Sequence, residues 1–269
     1  MPLIIFSNST KKYAKRMAEE YDNCTLKNVN DIKSPILGGT KHKTVFGIGG
    51  GKVIDYAKIY AVPNRAIAIP TTAAGAASTS HAVYWDTKKK KLNIPTKKPI
   101  VLINKKYINL SNEMAKMTSY DALAHALDSY WSKKATKASK ILSIKAFEMV
   151  KNQIINNYPD KVELIKAGNI AGEAIEITKT NMTHAISYPL TAFYNIPHGL
   201  AAGMAIKPSA KHQKCELNIP DIDIKLKGIK KDNEFIETIA KEAMTYSKIQ
   251  DGNYSITLEE LIKLLRENL

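Results

Sequence analysis

The chain has 269 residues, which is enough for one large domain or two modest ones, and an apolar content of 44% is ordinary for a globular protein. No apolar run approaches the roughly 18 residues of a membrane span, and the first residues lack a signal-peptide pattern. The two cysteines make no disulfide framework. We therefore expect a cytoplasmic protein with no membrane partner. The formal charge of +15 comes from dispersed lysines without zinc-finger spacing or an aromatic RNA-binding signature, which indicates a basic surface, or a field for a small anionic substrate, rather than a nucleic-acid-binding face.

Strand and helix patterns alternate over the first hundred residues. Short apolar runs predict four strands, at 2–8, 44–48, 66–69 and 100–103. Helical patterns lie between them at 9–21 and 52–61, whereas residues 22–43 are polar and are expected to form a loop-rich connection. This alternation is typical of a parallel α/β sheet.

Beyond residue 110 the strand patterns stop and helical patterns dominate. Helices are predicted at 111–133, 136–155, 159–188, 198–213, 234–247 and 257–268. The last of them opens with Thr257-Leu258-Glu259-Glu260, which is a capping box. We therefore divide the chain into an α/β domain, residues 1–109, and an all-helical domain, residues 110–269.

A triple glycine follows the second predicted strand and opens a helix. Glycines let backbone N–H groups approach a phosphate closely, and a helix N-terminus favours negative charge. The run 49–51 is not the G-x-G-x-x-G fingerprint, and a tight turn is the alternative interpretation. The hydroxyl-rich stretch 69–80 follows the next strand, and Thr71 and Thr72 in it offer hydrogen bonds to a phosphate or a ring amide. Two such loops at the ends of consecutive strands predict a nucleotide lying across the strand ends.

Four side chains farther along form a candidate metal site. Asp121 and His125 are four apart on a predicted helix, so they project from one face. His184 falls late on the helix predicted at 159–188, and His198, between a proline and a glycine, heads the next. One carboxylate and three imidazoles suit Fe²⁺ or Zn²⁺ and leave coordination positions open, as a catalytic metal requires.

Together these motifs resemble the iron-containing (group III) alcohol dehydrogenases. That family shows GGGS-x-x-D-x-x-K, PTTAGTGSE, DAL-x-HA-x-E and HA-x-x-x-P-L followed by PHG. Here the corresponding segments are GGGKVIDYAK, PTTAAGAAS, DALAHALD and HAISYPLTAFYNIPHG, in the same order. The resemblance implies a dehydroquinate synthase-like fold, in which residues 1–109 form a Rossmann-like dinucleotide-binding domain and residues 110–269 an all-helical, metal-binding catalytic domain.

The resemblance also implies roles for particular residues. The metal ligands would be Asp121, His125, His184 and His198. The cofactor-binding residues would be Gly49, Gly50, Gly51, Lys52, Asp55, Thr71 and Thr72. The metal would act as a Lewis acid on the substrate oxygen while the nicotinamide of NAD or NADP exchanges a hydride. His198 and Tyr188 are the candidate catalytic residues, with Tyr188 either a proton relay or a polar wall. A homodimer is the family's habit.

Several positions depart from the family pattern. Lys52 replaces the serine of GGGS, and the glutamate of GTGSE is missing. Tyr188 stands where many members carry another histidine. Asn8 ends the first predicted strand where many NAD-preferring members have an acidic residue, so NADP is not repelled. Because the chain is shorter than usual members, we expect the second βα unit to be missing from residues 22–43.

Within the family, the stretches at 83–86, 125–132 and 184–191 look most like the phosphonoacetaldehyde reductase branch. A basic cleft would suit a phosphonate dianion, with Lys90 and Lys91 as candidate contacts. Alternatives are a generic small alcohol or aldehyde, a glycerol-1-phosphate dehydrogenase-like polyol phosphate oxidoreductase, a shortened non-catalytic relative kept for binding, and a nucleic-acid-binding protein.

Overall fold

The computed structural model describes residues 1–33, 42–85, 91–224 and 231–269. Its strands are β1 (Leu3–Phe6), β2 (Thr25–Asn28), β3 (Val45–Gly49), β4 (Ile67–Pro70), β5 (His81–Trp85), β6 (Lys91–Pro95) and β7 (Ile100–Val101). Five of them form a parallel sheet in the order β2-β1-β3-β4-β7, and β5 pairs with β6 as an antiparallel hairpin. All seven strands of the described residues therefore precede residue 110.

The four strands predicted from apolar runs are present. The strand β2 and the β5–β6 hairpin were not predicted. β2 lies inside the stretch predicted to be a loop-rich connection, and it pairs with β1 from Leu3↔Thr25 to Phe6↔Asn28. We expected the second βα unit to be missing, and this expectation is wrong for the strand of that unit, because β2 is present. β2 escaped prediction because its sequence, TLKN, is a half-exposed edge strand without an apolar run. Residues 34–41 of the same stretch lie outside the described part of the chain.

The helices are α1 (Lys11–Ala18), α2 (Gly51–Ala61), α3 (Asn112–Tyr130), α4 (Lys137–Ile155), α5 (Lys161–Thr178), α6 (Met182–Tyr194), α7 (His198–His212), α8 (Asn233–Met244) and α9 (Leu258–Asn268). Side-chain caps explain where several of them begin. Ser111 accepts from the Met114 amide at 3.2 Å, and the Thr257–Glu260 capping box is formed as predicted.

The prediction of one helix over 159–188 is wrong, because two helices occupy this span. The chain breaks at Lys179, whose φ of 64° lies in the left-handed region, and α6 begins after Asn181. His184 consequently sits in the first turn of α6 rather than late on a helix. α6 also continues past residue 188 to Tyr194, with Pro189 inside it, and α7 then begins at His198.

Two apolar clusters hold the helical part together. One joins α3, α4, α5 and α7 around Leu123, Leu127 and Phe147. The other joins α6, α8 and α9, and the opposite side of α7, around Ile186, Ile239 and Leu261. Since α3 is buried from Ser119 to Ser129, polar side chains on it must find partners inside the protein.

The observed architecture is an α/β sheet domain followed by helices, as the fold prediction requires. The exact division at residue 109 remains a prediction. Within the described ranges no helix has both the length and the apolarity to cross a bilayer.

Candidate functional site

A cavity of about 1160 Å³ lies between the carboxyl ends of β1, β3 and β4 and the helices α3, α5, α6 and α7. At its sheet end it is lined by Gly50, Gly51, Lys52, Asp55, Thr71 and Thr72. At its helical end it is lined by Asp121, His125, His184, Tyr188 and His198. The structure thus brings all but one of the predicted site residues to one cavity. The exception is Gly49, the last residue of β3, which packs behind the wall against Val53.

Three imidazole rings converge on one carboxylate oxygen at the helical end. Asp121 Oδ1 lies 3.4 Å from His184 Nε2, 3.6 Å from His198 Nε2 and 3.8 Å from His125 Nε2. Ligand atoms of Asp121, His184 and His198 all lie within 4.8 Å of one another, and the ring of His125 stacks on that of His184 at 4.4 Å. Three candidate ligands therefore form a compact group with His125 at its edge.

The protonation of this cluster fits a cation. Asp121 Oδ1 and His184 Nε2 are buried and have no hydrogen-bond partner among the described residues, which is costly unless an ion satisfies them. Burial lowers the pKa of His125 to about 3 and that of His198 to about 4, so both rings are neutral, as ligands must be. Burial alone would raise the pKa of Asp121, but the surrounding histidines lower it by more, so the carboxylate is ionised. Neutral imidazoles around a carboxylate suit Fe²⁺ or Zn²⁺.

Asp128 orients His184 and was missed from the sequence. Its Oδ2 lies 2.8 Å from His184 Nδ1, and its carboxylate also accepts from the backbone amides of Asn181 at 2.9 Å and Thr183 at 3.0 Å. Burial lowers the pKa of His184, but the nearby carboxylates of Asp121 and Asp128 raise it to about 10, and a cation on Nε2 would supply the same positive charge. The signal was available, because Asp128 is seven residues from Asp121 on the same helix and ends the DALAHALD motif.

Tyr188 lies beside the cluster and is 6% exposed. Its ring stacks on that of His198 at 6.1 Å, and its hydroxyl is in hydrogen-bond contact with Lys91 Nζ and lies 3.3 Å from the Thr180 hydroxyl. Burial would raise the pKa of this tyrosine, but Lys91 and His184 lower it by more, so the net shift is downward. Lys91 thus reaches the site as expected, whereas Lys90 lies outside the described residues.

The sheet end of the cavity has open backbone where a cofactor phosphate was predicted. Gly50 precedes α2 and Gly51 begins it, so the amides of its first turn have no helical acceptor. A Cβ on Gly50 would lie 3.2 Å from Thr72 Oγ1, which explains the need for glycine there. The backbone amide of Thr71 donates to the Gly49 carbonyl at 3.0 Å, fixing the loop that follows β4.

Asp55 carries an ion pair as well as lining the cavity. Its Oδ1 lies 2.7 Å from Nζ of Lys58, whose side chain is fully buried. The same ammonium donates to the Ala76 carbonyl at 2.8 Å and to Thr79 Oγ1 at 3.1 Å. Burial raises the pKa of Asp55 and Lys58 opposes the shift. The pair therefore ties α2 to the loop 71–80 across the cavity wall.

The fold and the site together define a class of proteins. In this class a parallel α/β sheet domain is followed by a helical region, and the cleft between them contains a buried carboxylate–histidine cluster. The particular family follows from two family models. One, described as iron-containing alcohol dehydrogenase, matches residues 7–108, and the other, described as the C-terminal part of the Fe-containing alcohol dehydrogenase family, matches residues 115–216. The chain belongs to the iron-containing alcohol dehydrogenase family.

The sequence identity between this chain and individual relatives is low. The chain is 29% identical to a 4-hydroxybutyrate dehydrogenase from Clostridium kluyveri over 64% of this chain and 55% of that one. It is 32% identical to a phosphonoacetaldehyde reductase from Streptomyces viridochromogenes over 53% of this chain and 39% of that one. It thus spans about half the length, or less, of these relatives. A sulfoacetaldehyde reductase from Bifidobacterium kashiwanohense, solved in complex with NAD⁺, has a similar fold, with a TM-score of 0.82, 17% identity and coverage of 99% of this chain and 90% of that one.

Proposed function

We propose that this chain is a metal-dependent, NAD(P)-linked alcohol dehydrogenase or aldehyde reductase. The observation that carries the proposal is the shared cavity: the carboxylate–histidine cluster faces one end, and the open first turn of α2 faces the other. Membership of the family supports the same reaction class.

Asp121, His125, His184 and His198 would hold Fe²⁺ or Zn²⁺. When bound, the ion supplies Lewis-acid polarisation of a carbonyl or alcohol oxygen, and the nicotinamide supplies or accepts the hydride. The four side chains contribute one negative charge and three neutral rings, which leaves the bound ion a net positive charge to direct at substrate. Asp128 holds His184 in the tautomer with Nε2 free.

Tyr188 is proposed as the residue that holds and moves a proton at Oη. The hydroxyl is buried beside His198 and contacts Lys91, which favours a donor or acceptor role over that of an inert wall. At the sheet end, the amides of Gly51 and Lys52 are proposed to bind the cofactor pyrophosphate, with the Thr71 and Thr72 hydroxyls as further contacts.

The choice between NAD and NADP is not decided by an acidic residue at the end of β1. Asn8 lies two residues after the end of β1 and accepts a hydrogen bond from the side chain of Asn28 at 2.5 Å, so this position supplies no carboxylate. We therefore propose that both cofactors bind.

Phosphonoacetaldehyde is our candidate substrate. Two observations support it: the 32% identity to a phosphonoacetaldehyde reductase and the position of Lys91 in the cavity. A glycerol-1-phosphate dehydrogenase-like activity and a non-catalytic binding role remain the alternatives, and a homodimer is proposed from the family alone.

The test combines metal analysis with turnover. Purified protein, reconstituted with Fe²⁺ or Zn²⁺, is assayed for NADH and NADPH oxidation with a panel of small aldehydes including phosphonoacetaldehyde. We expect His198→Ala to lower metal content and turnover together, whereas His212→Ala, a histidine outside the cavity, changes neither. Full metal retention in the His198 variant would overturn the ligand assignment, and inactivity of the metal-loaded protein with every aldehyde would favour the non-catalytic alternative.

A further inference from the structure

The charge of the cavity is strongly asymmetric. Among its described lining residues there are five lysines and two aspartates, namely Lys33, Lys52, Lys91, Lys179, Lys248, Asp55 and Asp121. Both aspartates already face positive or metal-binding partners, since Asp55 pairs with Lys58 and Asp121 faces the histidines. The surplus positive charge therefore has no compensating group in the cavity wall.

Three of these lysines lie on three different segments that meet at Tyr188. Lys91, on β6, contacts the tyrosine hydroxyl, and its Nζ lies 3.7 Å from the ring centroid. Lys179 directly precedes Thr180, whose hydroxyl lies 3.3 Å from that of Tyr188. Lys248 lies two residues after Tyr246, whose ring is 4.9 Å from that of Tyr188. Tyr188 is thus the point at which the three lysine-bearing segments meet, and all three lysines line the cavity.

The three lysines are poorly neutralised by protein groups. Among the described residues, no carboxylate lies within 4.0 Å of the ammonium of Lys91 or Lys248, and Lys179 has only Glu176, at 3.4 Å. Burial lowers the pKa of Lys248; Tyr188 opposes that shift, and the charges of Lys91 and Lys179 add to it. Cations gathered at a cavity wall without counter-charges attract an anion.

We infer that Lys91, Lys179 and Lys248 form an anion subsite that binds the acidic head group of the substrate. This inference rests on the proposed function and narrows it to aldehydes, or the corresponding alcohols, that carry a tetrahedral oxyanion such as phosphonate or sulfonate. The distances favour a short spacer, because the Tyr188 ring is only 6.1 Å from the rings of His184 and His198. A head group beside Tyr188 places a carbonyl one or two carbons away next to the metal ligands.

The kinetic test compares substrates that differ in head group. The metal-loaded enzyme is assayed with phosphonoacetaldehyde, sulfoacetaldehyde, the carboxylate succinic semialdehyde and the neutral propanal. We expect the wild-type ratio of kcat/KM for the phosphonate over that for propanal to fall by about tenfold or more in Lys248→Met and in Lys179→Met, because charge-assisted hydrogen bonds are lost. The matched control Lys145→Met removes the same charge from an exposed position on α4 and leaves the ratio unchanged. An unchanged ratio in both subsite variants overturns the inference.

A binding measurement keeps the subsite distinguishable from the dehydrogenase proposal. Calorimetry with 2-hydroxyethylphosphonate and with propan-1-ol needs no turnover. If no aldehyde is reduced, the proposed activity fails, yet preferential binding of the phosphonate that is lost in Lys248→Met still supports the subsite. If the phosphonate binds no better than propan-1-ol, the subsite is wrong even for an active enzyme. A preference for succinic semialdehyde over both tetrahedral oxyanions would reassign the head group to a carboxylate and contradict the inference as stated.

Discussion

At the scale of single residues, Asp128 shows how one carboxylate joins the fold to the site. It is fully buried, it accepts three backbone amides at the start of α6, and it fixes the ring of His184. Outer partners of this kind keep a ligand in the correct tautomer and orientation. The loss of this side chain should therefore weaken the metal site without touching any ligand.

The first prediction concerns Asp128→Asn. We expect metal affinity to fall about 10–100-fold, because the amide cannot hold His184 Nδ1–H as strongly as a carboxylate. The measurement is competition for Zn²⁺ against a chromophoric chelator, with circular dichroism to check that α6 still forms. Asp160→Asn is the matched control, since Asp160 also accepts backbone amides at a helix start, that of α5, but lies away from the cluster. Equal metal affinity in the Asp128 variant and the wild type would show that Asp128 only caps α6.

The second prediction concerns His81, which lines the cavity at the start of β5. Burial, followed by the charges of Lys58 and Lys179, lowers its pKa to about 4, although Glu176 opposes the shift and Lys91 adds to it. Between pH 6.5 and 4 the unfolded chain therefore binds a proton at His81 that the folded chain does not. Stability should fall as the pH falls through this window, by up to about 1.4 kcal/mol per pH unit from this group.

Urea unfolding of the wild type and of His81→Asn at pH 7, 6 and 5, in the same metal state, checks this prediction. The variant should lose less stability between pH 7 and pH 5 than the wild type does. Parallel pH profiles for the two proteins would mean that His81 does not contribute to acid destabilisation.

At the scale of secondary structure elements, an apolar run or an amphipathic period was sufficient to predict the element. β1, β3 and β4 are continuous buried runs, and α3 carries its ligands where the i, i+4 spacing put them. β2 and the β5–β6 hairpin are half-exposed and lack that signal. The break between α5 and α6 was invisible because its cause is tertiary: Asn181 is held by Asp128, 53 residues earlier in the chain.

The candidate site was more predictable than the elements that carry it. Asp121, His125, His184 and His198 were expected to meet, and they do so although His184 stands on a different part of a different helix. To predict a site, it is enough to identify residues that converge in space. To predict where a helix begins or ends, one must also know which side chain caps it. Asp128 could have been found from its place at the end of the DALAHALD motif, whereas Lys179 and Lys248 could not be placed without coordinates, because neither belongs to a motif.

The third prediction concerns the contact between α5 and the loop 71–80. A Cβ on Gly168 would overlap the carbonyl of Ala73, so α5 can pack this closely against the loop only if residue 168 is glycine. We expect Gly168→Ala to destabilise the protein by about 1–3 kcal/mol, as overpacking does, and to displace Thr71 and Thr72. Gly51→Ala is the control, because a Cβ there meets its nearest neighbour at 3.7 Å, an ordinary contact. Chemical unfolding measures the stability difference, and equal stability of the two variants would contradict the prediction.

At the scale of the whole molecule, the candidate metal ligands come from three different helices. α3 supplies Asp121 and His125, α6 supplies His184, and α7 supplies His198. α3 contributes to one apolar cluster, α6 to the other, and α7 to both. An ion bound here would cross-link the three helices, so the site should contribute to global stability as well as to chemistry.

The last prediction is that metal stabilises the folded chain. An ion that binds only the native state adds about 2.7 kcal/mol when its free concentration is 100 times its dissociation constant. For a chain of this size the melting temperature should rise by roughly 5–10 °C. Thermal unfolding of chelator-treated protein, with and without added Zn²⁺ or Fe²⁺, measures the rise. Asp121→Asn should abolish it, because that variant removes the one carboxylate that faces all three rings. A rise of the same size in the variant would place the stabilising ion elsewhere, and it would break the link between this cluster and the metal on which the proposed reaction depends.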